Sequence, residues 1–339
     1  LTLFAFAGCG TGGDKAQEEA TPEGEQAAEQ PKEKITIRIA GQNPIEHSST
    51  QSLYTIEKTV EEKSGGRIQI DVYPANQLGD YTLVYEELMK GTIDMALISV
   101  APTYDNRMLL SYMPYIAENY ETIKKLYAPN GFMYNTYKEV HGALNVEFLG
   151  FYGEGLGGVG STKMPKEPMN PKVDKGILLR VPGIDSLKLC AEDMGYRTTS
   201  IPYADVYTSM QTGVCDAWIG GPASLNWHGF RDVIKYYLET NDFYECTFFL
   251  MNKDLWNRLD AEAQQIIKDA VETESLRSFE VNEEENEKYM KQMEEYGINV
   301  IRFSDEELKT MANYIRETTW PKVAEKIGKD VVEGLKAQY

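Results

Sequence analysis

The sequence predicts an α/β protein of two lobes facing each other across a cleft, and three observations carry that expectation. The chain has 339 residues, 42% hydrophobic and 11% aromatic, which exceeds the usual single core and suffices to fill two. A short helix-to-strand unit recurs at a fixed offset in the two halves. A long amphipathic helix follows the second copy, and its length allows it to cross both lobes.

Taken in order, Ile35-Thr36-Ile37-Arg38-Ile39-Ala40 alternates apolar and polar residues with the period of a strand. Residues 54–63 carry Ile56 and Val60 at helical spacing, and Ser64-Gly65-Gly66 ends that helix. Residues 67–73 read as a second strand stopped by Pro74. Residues 84–94 (VYEELMKGTID) form an amphipathic helix with a glycine C-cap that runs into an apolar strand at 95–98. Residues 206–216 (VYTSMQTGVCD) repeat this unit at Val, Tyr, Leu/Met, Gly and Asp, and one offset, 122 residues, separates Val84 from Val206 and Asp94 from Asp216. Ligands of open α/β sheets sit beyond the carboxyl ends of strands, so the segments after Ile98 and Trp218 should face the cleft. From Asp260, a plausible N-cap, the spacing Ala263, Ile266, Ile267, Ala270, Val271 marks the long helix, which continues past Phe279. Ser304-Asp305-Glu306-Glu307 gives a capping box for a further helix, and Trp320-Pro321 punctuates the tail.

With 53 acidic against 34 basic residues, the net charge of −19 repels phosphate backbones and anionic headgroups, which argues against nucleic-acid binding. The local charge of a pocket is free to oppose it. The opening run Leu1-Thr2-Leu3-Phe4-Ala5-Phe6-Ala7-Gly8-Cys9 reads as the end of an apolar signal closing in small residues before a cysteine, as in a bacterial lipobox with Cys9 acylated; the plain alternative is an export signal with an incidental cysteine. Residues 10–34 lack aromatic and branched aliphatic side chains and read as a disordered tether. No other stretch reaches the roughly 18 to 20 apolar residues of a membrane span. Beyond Cys9, the odd number formed by Cys190, Cys215 and Cys246 leaves two readings: buried thiols, or a Cys190–Cys215 disulfide.

Catalytic and metal chemistry find little footing. Only His47, His141 and His228 exist, without an HExxH, CxxC, GxSxG or Walker pattern. Residues 153–160 (GEGLGGVG) contain a GxGxxG-like spacing, but Lys163-Met164-Pro165 follows where a helix must begin, so a glycine-rich hinge or cleft wall fits better than a nucleotide site. Arg180 sits at the end of the apolar run 177–181, just before Pro182-Gly183. A planar fork there suits a carboxylate; a surface arginine or an internal ion pair is the alternative.

Tyr73-Pro74-Ala75-Asn76-Gln77-Leu78-Gly79-Asp80, Gly91-Thr92-Ile93-Asp94-Met95, Leu179-Arg180-Val181-Pro182-Gly183 and the segment 202–213 (PYADVYTSMQTG) resemble, in order, the DctP-type solute-binding proteins of TRAP (tripartite ATP-independent periplasmic) transporters. The resemblance runs from Ile35 to about Tyr339. It implies a periplasmic-binding-protein-like fold, two α/β lobes linked by hinge strands and a long helix spanning both. It also implies no catalysis and no cofactor, a carboxylate ligand closed in between the lobes, and delivery to small and large integral membrane subunits. On this footing lobe I is expected at 35–152 and 245–286, and lobe II at 153–244 and 287–339.

Carried over by position, Arg180 is the expected carboxylate clamp, Ser99 lies where first-lobe strands turn into the pocket, and Trp218 with Gly220 belongs to the opposing loop. Many relatives read Asp-Gly-Gln-Glu-Asn-Pro in that loop; here residues 216–222 read DAWIGGP, which weighs against polyhydroxylated acids. No second arginine stands at 152–161, which favours a monocarboxylate with an apolar or aromatic body over a dicarboxylate. His47 and Asn43, after the first strand, are pocket candidates, with helix capping the alternative for His47. Trp218 and Trp227 are candidates to stack on the ligand or to fill the core. Tyr152, Glu154, Tyr104 and Tyr115 complete the set, and a cleft-facing Glu154 would suit an ammonium on the ligand. The expected place is the periplasm or the outer face of the cytoplasmic membrane, lipid-anchored; a ligand sensor reporting to a membrane receptor is the competing function.

Overall fold

The computed structural model describes residues 2–5, 7, 8, 10, 33–117 and 119–338. The chain divides into a unit of residues 1–33 and a unit of residues 34–339. Cys9 and residues 11–32 of the expected tether lie outside the described residues.

Among the described residues, eleven strands follow in chain order: β1 (Ile35–Gly41), β2 (Ile68–Tyr73), β3 (Met95–Ile98), β4 (Val146–Leu156), β5 (Gly158–Ser161), β6 (Leu178–Val181), β7 (Arg197–Ser200), β8 (Ala217–Gly221), β9 (Tyr236–Leu238), β10 (Tyr244–Asn252) and β11 (Asn299–Ile301). They form a five-stranded sheet of order β2-β1-β3-β10-β4 and a six-stranded sheet of order β11-β9-β5-β8-β6-β7. In the first, β1 pairs in parallel with β2 and β3 while β10 runs antiparallel to β3 and β4. In the second, β6 pairs in parallel with β7 and β8 while β5 runs antiparallel to β8 and β9.

Both faces of each sheet are covered, so the central strands read as apolar runs rather than alternations. Along β10, Phe248 and Leu250 enter the core on one face and Phe249 and Met251 the core on the other. In β8, Ala217 and Ile219 face one core and Trp218 the opposite one.

The sequence repeat is a structural repeat. The helix Tyr81–Lys90 ends on Gly91 at φ 78° and leads to β3; the helix Val206–Gln211 is followed by Gly213 at φ 77° and leads to β8. Glycine adopts this left-handed backbone without a Cβ clash. Each repeat aspartate accepts from the backbone of the neighbouring parallel strand: Asp94 Oδ2 from Arg38 N at 2.9 Å, and Asp216 Oδ2 from Leu178 N at 2.9 Å.

Two backbone crossings join the sheets side by side. β4 becomes β5 through Gly157 alone, and β9 returns to β10 through residues 239–243. Gly157 N donates to Phe243 O at 2.8 Å, tying the crossings together. A third connection is the long helix Ala261–Tyr296, capped by Asp260, whose 36 residues reach about 54 Å at 1.5 Å per residue. Ala263, Ile267, Ala270 and Val271 pack under the first sheet, whereas Tyr289, Met290 and Met293 pack under the second.

The C-terminal segment departs from expectation. Residues 287–339 were assigned to the second lobe, but only part of that segment stays there. The helix Asp305–Thr318 gives Met311, Ala312 and Ile315 to the second sheet's core. The helices Trp320–Ile327 and Lys329–Lys336 instead place Trp320, Val323, Ile327, Val332 and Leu335 in the first sheet's core, with Trp320 Nε1 donating to Pro114 O at 2.8 Å. The apolar stripes of these two short helices need a partner, and the layer beside Met133 and Tyr137 supplies one. No helix of the described residues is long and apolar enough to cross a membrane.

Candidate functional site

Carboxyl ends of parallel strands from both sheets converge. Gln42 follows β1, Ser99 follows β3, Pro182 follows β6, and Gly220 lies at the end of β8; together with Arg180 and Glu245 they line one small cavity. Its volume is about 40 Å³, on a scale where one water needs roughly 10–15 Å³. Tyr81, Tyr112, Tyr203 and Trp218 supply aromatic walls. A larger hollow of about 910 Å³ opens among the C-terminal helices, lined by surface charges such as Glu317, Lys329 and Lys336. It lies away from the strand ends, so the smaller cavity carries the chemistry.

Arg180 is the cation of this cavity. It is 2% exposed, and Nε donates to Ile201 O at 2.8 Å. It forms no ion pair among the described residues, although it is nine-tenths buried and more. Burial pushes its pKa down to about 10, so it keeps its charge at neutral pH. A buried guanidinium with one backbone partner has donors to spare for an anion. Gly220, at φ 125°, takes a backbone conformation that favours glycine, and a Cβ there would only touch Arg180 Nη1, at 3.9 Å.

The first sheet contributes a hydrogen-bonded wall. Ser99 N donates to Gln42 Oε1 at 2.7 Å, Gln42 Nε2 donates to Ser99 Oγ at 3.0 Å, and Ser99 Oγ donates to Glu245 Oε1 at 3.2 Å. Behind it, Glu154 Oε1 accepts from Asn43 Nδ2 and Thr247 Oγ1, both at 3.0 Å. The β4–β10 ladder slips between Glu245 and Cys246, which face Gly155 and Gly153, so Glu154 is the extra residue of a bulge. Bulges re-aim side chains, and this one sets two carboxyls beside each other. Burial, and for Glu245 the charge of Glu154, push both carboxyls above the usual range.

Arg180, Ser99, Trp218 and Gly220 are brought together as the sequence suggested, and Asn43 and Glu154 stand just behind the cavity wall. Trp218 also fills the core against Phe230, its Nε1 donating to Asn226 Oδ1 at 3.0 Å. His47 does not line the cavity. It caps the helix Ser48–Lys63, Nδ1 accepting from Ser49 N at 3.3 Å, and its Nε2 lies 3.4 Å from Ser224 Oγ. Tyr152 points to the other face of the first sheet, packed on Phe249 with Ser52 Oγ donating to its hydroxyl at 3.4 Å. Trp227 stacks under Arg231 and against Tyr296, away from the cavity. Tyr104 is exposed against Tyr85, and Tyr115 belongs to the second sheet's core. Sequence reasoning missed Gln42, Glu245 and Tyr203. Gln42 follows a parallel strand as Ser99 does, and Tyr203 lies inside the quoted 202–213 segment, so both were within reach; Glu245 begins an antiparallel strand and carried no signal. Cys190, Cys215 and Cys246 are buried free thiols, which removes the Cys190–Cys215 disulfide. No group of three or more His, Cys, Asp or Glu among the described residues is placed to hold a metal.

Two α/β sheets joined by paired crossings and a common helix, with a buried unpaired cation where strand ends meet, define a binding protein of the two-lobed class. The sequence profile of the bacterial extracellular solute-binding proteins of family 7, DctP, matches residues 39–326, and the chain belongs to that family of non-enzymatic transport receptors. It is 24% identical over 286 residues to the C4-dicarboxylate-binding periplasmic protein DctP of Rhodobacter capsulatus, covering 83% of this chain and 84% of the relative. Its fold is similar to a TRAP periplasmic solute-binding protein of Sulfurospirillum deleyianum with bound succinate, at TM-score 0.82 and 17% identity over 91% of this chain and 100% of the other. It is also similar to one from Desulfovibrio salexigens with bound orotic acid, at TM-score 0.81 and 18% identity over 90% and 97%.

Proposed function

We propose that this protein is the extracytoplasmic receptor of a TRAP transporter that captures a small organic acid, a monocarboxylate with an apolar or aromatic body, and presents it to the membrane subunits. Arg180 carries the reading: a buried guanidinium without an ion-pair partner invites one carboxylate. Arg180 is the only Lys or Arg among the cavity-lining residues, whereas a second carboxylate would need another cation. The four aromatic rings favour a flat or apolar body, and the relative with bound orotic acid holds such a molecule, while succinate would fit this wall less well. Lobes drawn at 35–152 with 245–286 and at 153–244 with residues 287–319 would close about the crossings at Gly157 and 239–243.

Mass spectrometry of small molecules released on denaturing freshly purified protein tests this. A compound with one carboxyl group is expected; a released ligand lacking any carboxyl overturns the reading. The Phe6-Ala7-Gly8-Cys9 pattern further supports an acyl anchor at Cys9 that keeps the receptor at the outer face of the cytoplasmic membrane. Intact mass of membrane-extracted protein should show the added chains on Cys9, and an unmodified Cys9 refutes the anchor.

A further inference from the structure

We infer that the ligand carries a cationic nitrogen as well as its carboxylate, taken up by Glu245 on the first-sheet wall of the cavity that holds Arg180, with Glu154 standing just behind it. The inference rests on the carboxylate reading above and adds to it a second charge of opposite sign.

The acceptors come first. Glu245 lines the cavity, is 5% exposed, and receives one hydrogen bond, from Ser99. Glu154 is equally buried, and its Oε2 has no hydrogen-bond partner; neither does Asn43 Oδ1 beside it. A buried polar atom without a partner costs about 1–3 kcal/mol, and native proteins rarely leave two adjacent ones. With the Asn43 amide oriented by its bonds to Ser49 and Glu154, and with the Glu154 carboxyl ionised, both orphans are acceptors. The missing partner is therefore a donor.

Charge says the same. Neither glutamate forms an ion pair among the described residues. The groups that act on them are Arg180 from the second sheet, Glu285 from the long helix, and each other. His47 and His228 are the nearby bases, but burial pushes them down to about 3 and about 4, so they stay neutral at physiological pH. Tyr203, Arg180 and Glu245 line the same cavity. A plain anion would take up Arg180 and leave Glu245 and Glu154 without a cation of their own. A zwitterion matches each wall with its opposite, and buried charges persist only when so paired. The rings of Tyr81, Tyr112 and Tyr203 suit an ammonium as well as an apolar body.

The test uses ligand-stripped full-length protein and pairs of probes in which only an ammonium is exchanged for carbon: 4-aminobutanoate with pentanoate, L-alanine with 2-methylpropanoate, L-proline with cyclopentanecarboxylate, and L-phenylalanine with 2-methyl-3-phenylpropanoate. Calorimetric titration should find the nitrogen-bearing member at least about tenfold tighter in the pairs that bind, since a buried charge pair is at stake. Glu245→Gln and Glu154→Gln should bring that ratio close to one, and both keep the shape of the side chain, so folding is preserved. Equal affinity for the two members, with Arg180→Ala abolishing both, overturns the inference and leaves the carboxylate reading standing. Binding of neither member, or binding that survives Arg180→Ala, counts against the carboxylate reading itself.

Discussion

The two walls of the cavity are built on the same repeated unit and do opposite chemistry. Counting from the repeat, Ser99 and Gly221 occupy equivalent places, five residues beyond Asp94 and Asp216. The first-sheet wall puts a hydroxyl there and ties it to Gln42 and Glu245; the second-sheet wall puts Gly221 there, after Gly220, and holds Arg180 through the Ile201 carbonyl. One wall is a hydrogen-bonded network with acceptors to spare, and the other is a bare ion on a single carbonyl. The duplicated part is therefore the scaffold, helix cap and strand anchor, while recognition lives in the few residues just past it.

The largest expected effect separates the walls directly. Removing one member of a buried, hydrogen-bonded charge pair costs about 2–5 kcal/mol, so Arg180→Ala should weaken ligand binding by tens to thousands of times. Arg180→Lys should recover little, because an ammonium lacks the planar fork. Calorimetry reads both, and near-parental affinity for the alanine variant would remove the cation from the comparison.

The acidic wall should announce itself through pH. Burial and the charge of Glu154 make the folded protein hold the Glu245 proton more tightly than the unfolded chain, so stability contributed here falls as pH rises above the ordinary value of 4.5. Glutamine mimics the protonated form. Ligand-free Glu245→Gln should match the parent near pH 4 and melt increasingly higher above it, the gap growing by up to about 1.4 kcal/mol per pH unit until the folded group ionises. Parallel stability curves would show that Glu245 is solvated instead.

Between the walls, Gly157→Ala would set a Cβ 2.5 Å from Cε1 of the fully buried Phe243 ring, and overpacking of this kind costs about 1–3 kcal/mol. Gly183→Ala, with nothing within 4 Å, should change urea unfolding by less than about 0.5 kcal/mol. An intermediate effect concerns the repeat itself. Asp94→Ala and Asp216→Ala each lose a bond to a neighbouring strand's backbone and should cost about 1 kcal/mol apiece; a clear inequality in chemical denaturation would mean the two units are not one device.

Much of this was legible because it is local. The strand at Ile35, both repeat helices with their glycine caps, and the long helix from Asp260 each announce themselves by period or by a cap residue. Arg180, Ser99 and Gly220 followed from the rule that strand ends meet ligands. What failed was whatever depends on a distant partner. Trp227 and Tyr152 are large and aromatic near the right strands, but they pack against Tyr296 and Phe249, far off in the chain. Glu245 reaches the cavity only because β10 runs antiparallel between β3 and β4, and no short-range pattern encodes that pairing. The return of helices Trp320–Ile327 and Lys329–Lys336 to the first sheet is equally invisible, since their stripes say that they pack and not where.

The stitched pair of crossings has a mechanical consequence. A single strand between two bodies would let them swivel, shear and bend alike. Here two strands lie flat beside each other, locked by the Gly157–Phe243 bond, so they behave as a leaf spring: compliant across its thin direction and stiff in its own plane. The 36-residue helix acts as a strut on the same assembly, limiting how far the spring can flex. An opening of the cavity would thereby be guided along one path, and Arg180 and Glu245 would meet in the same register on closing.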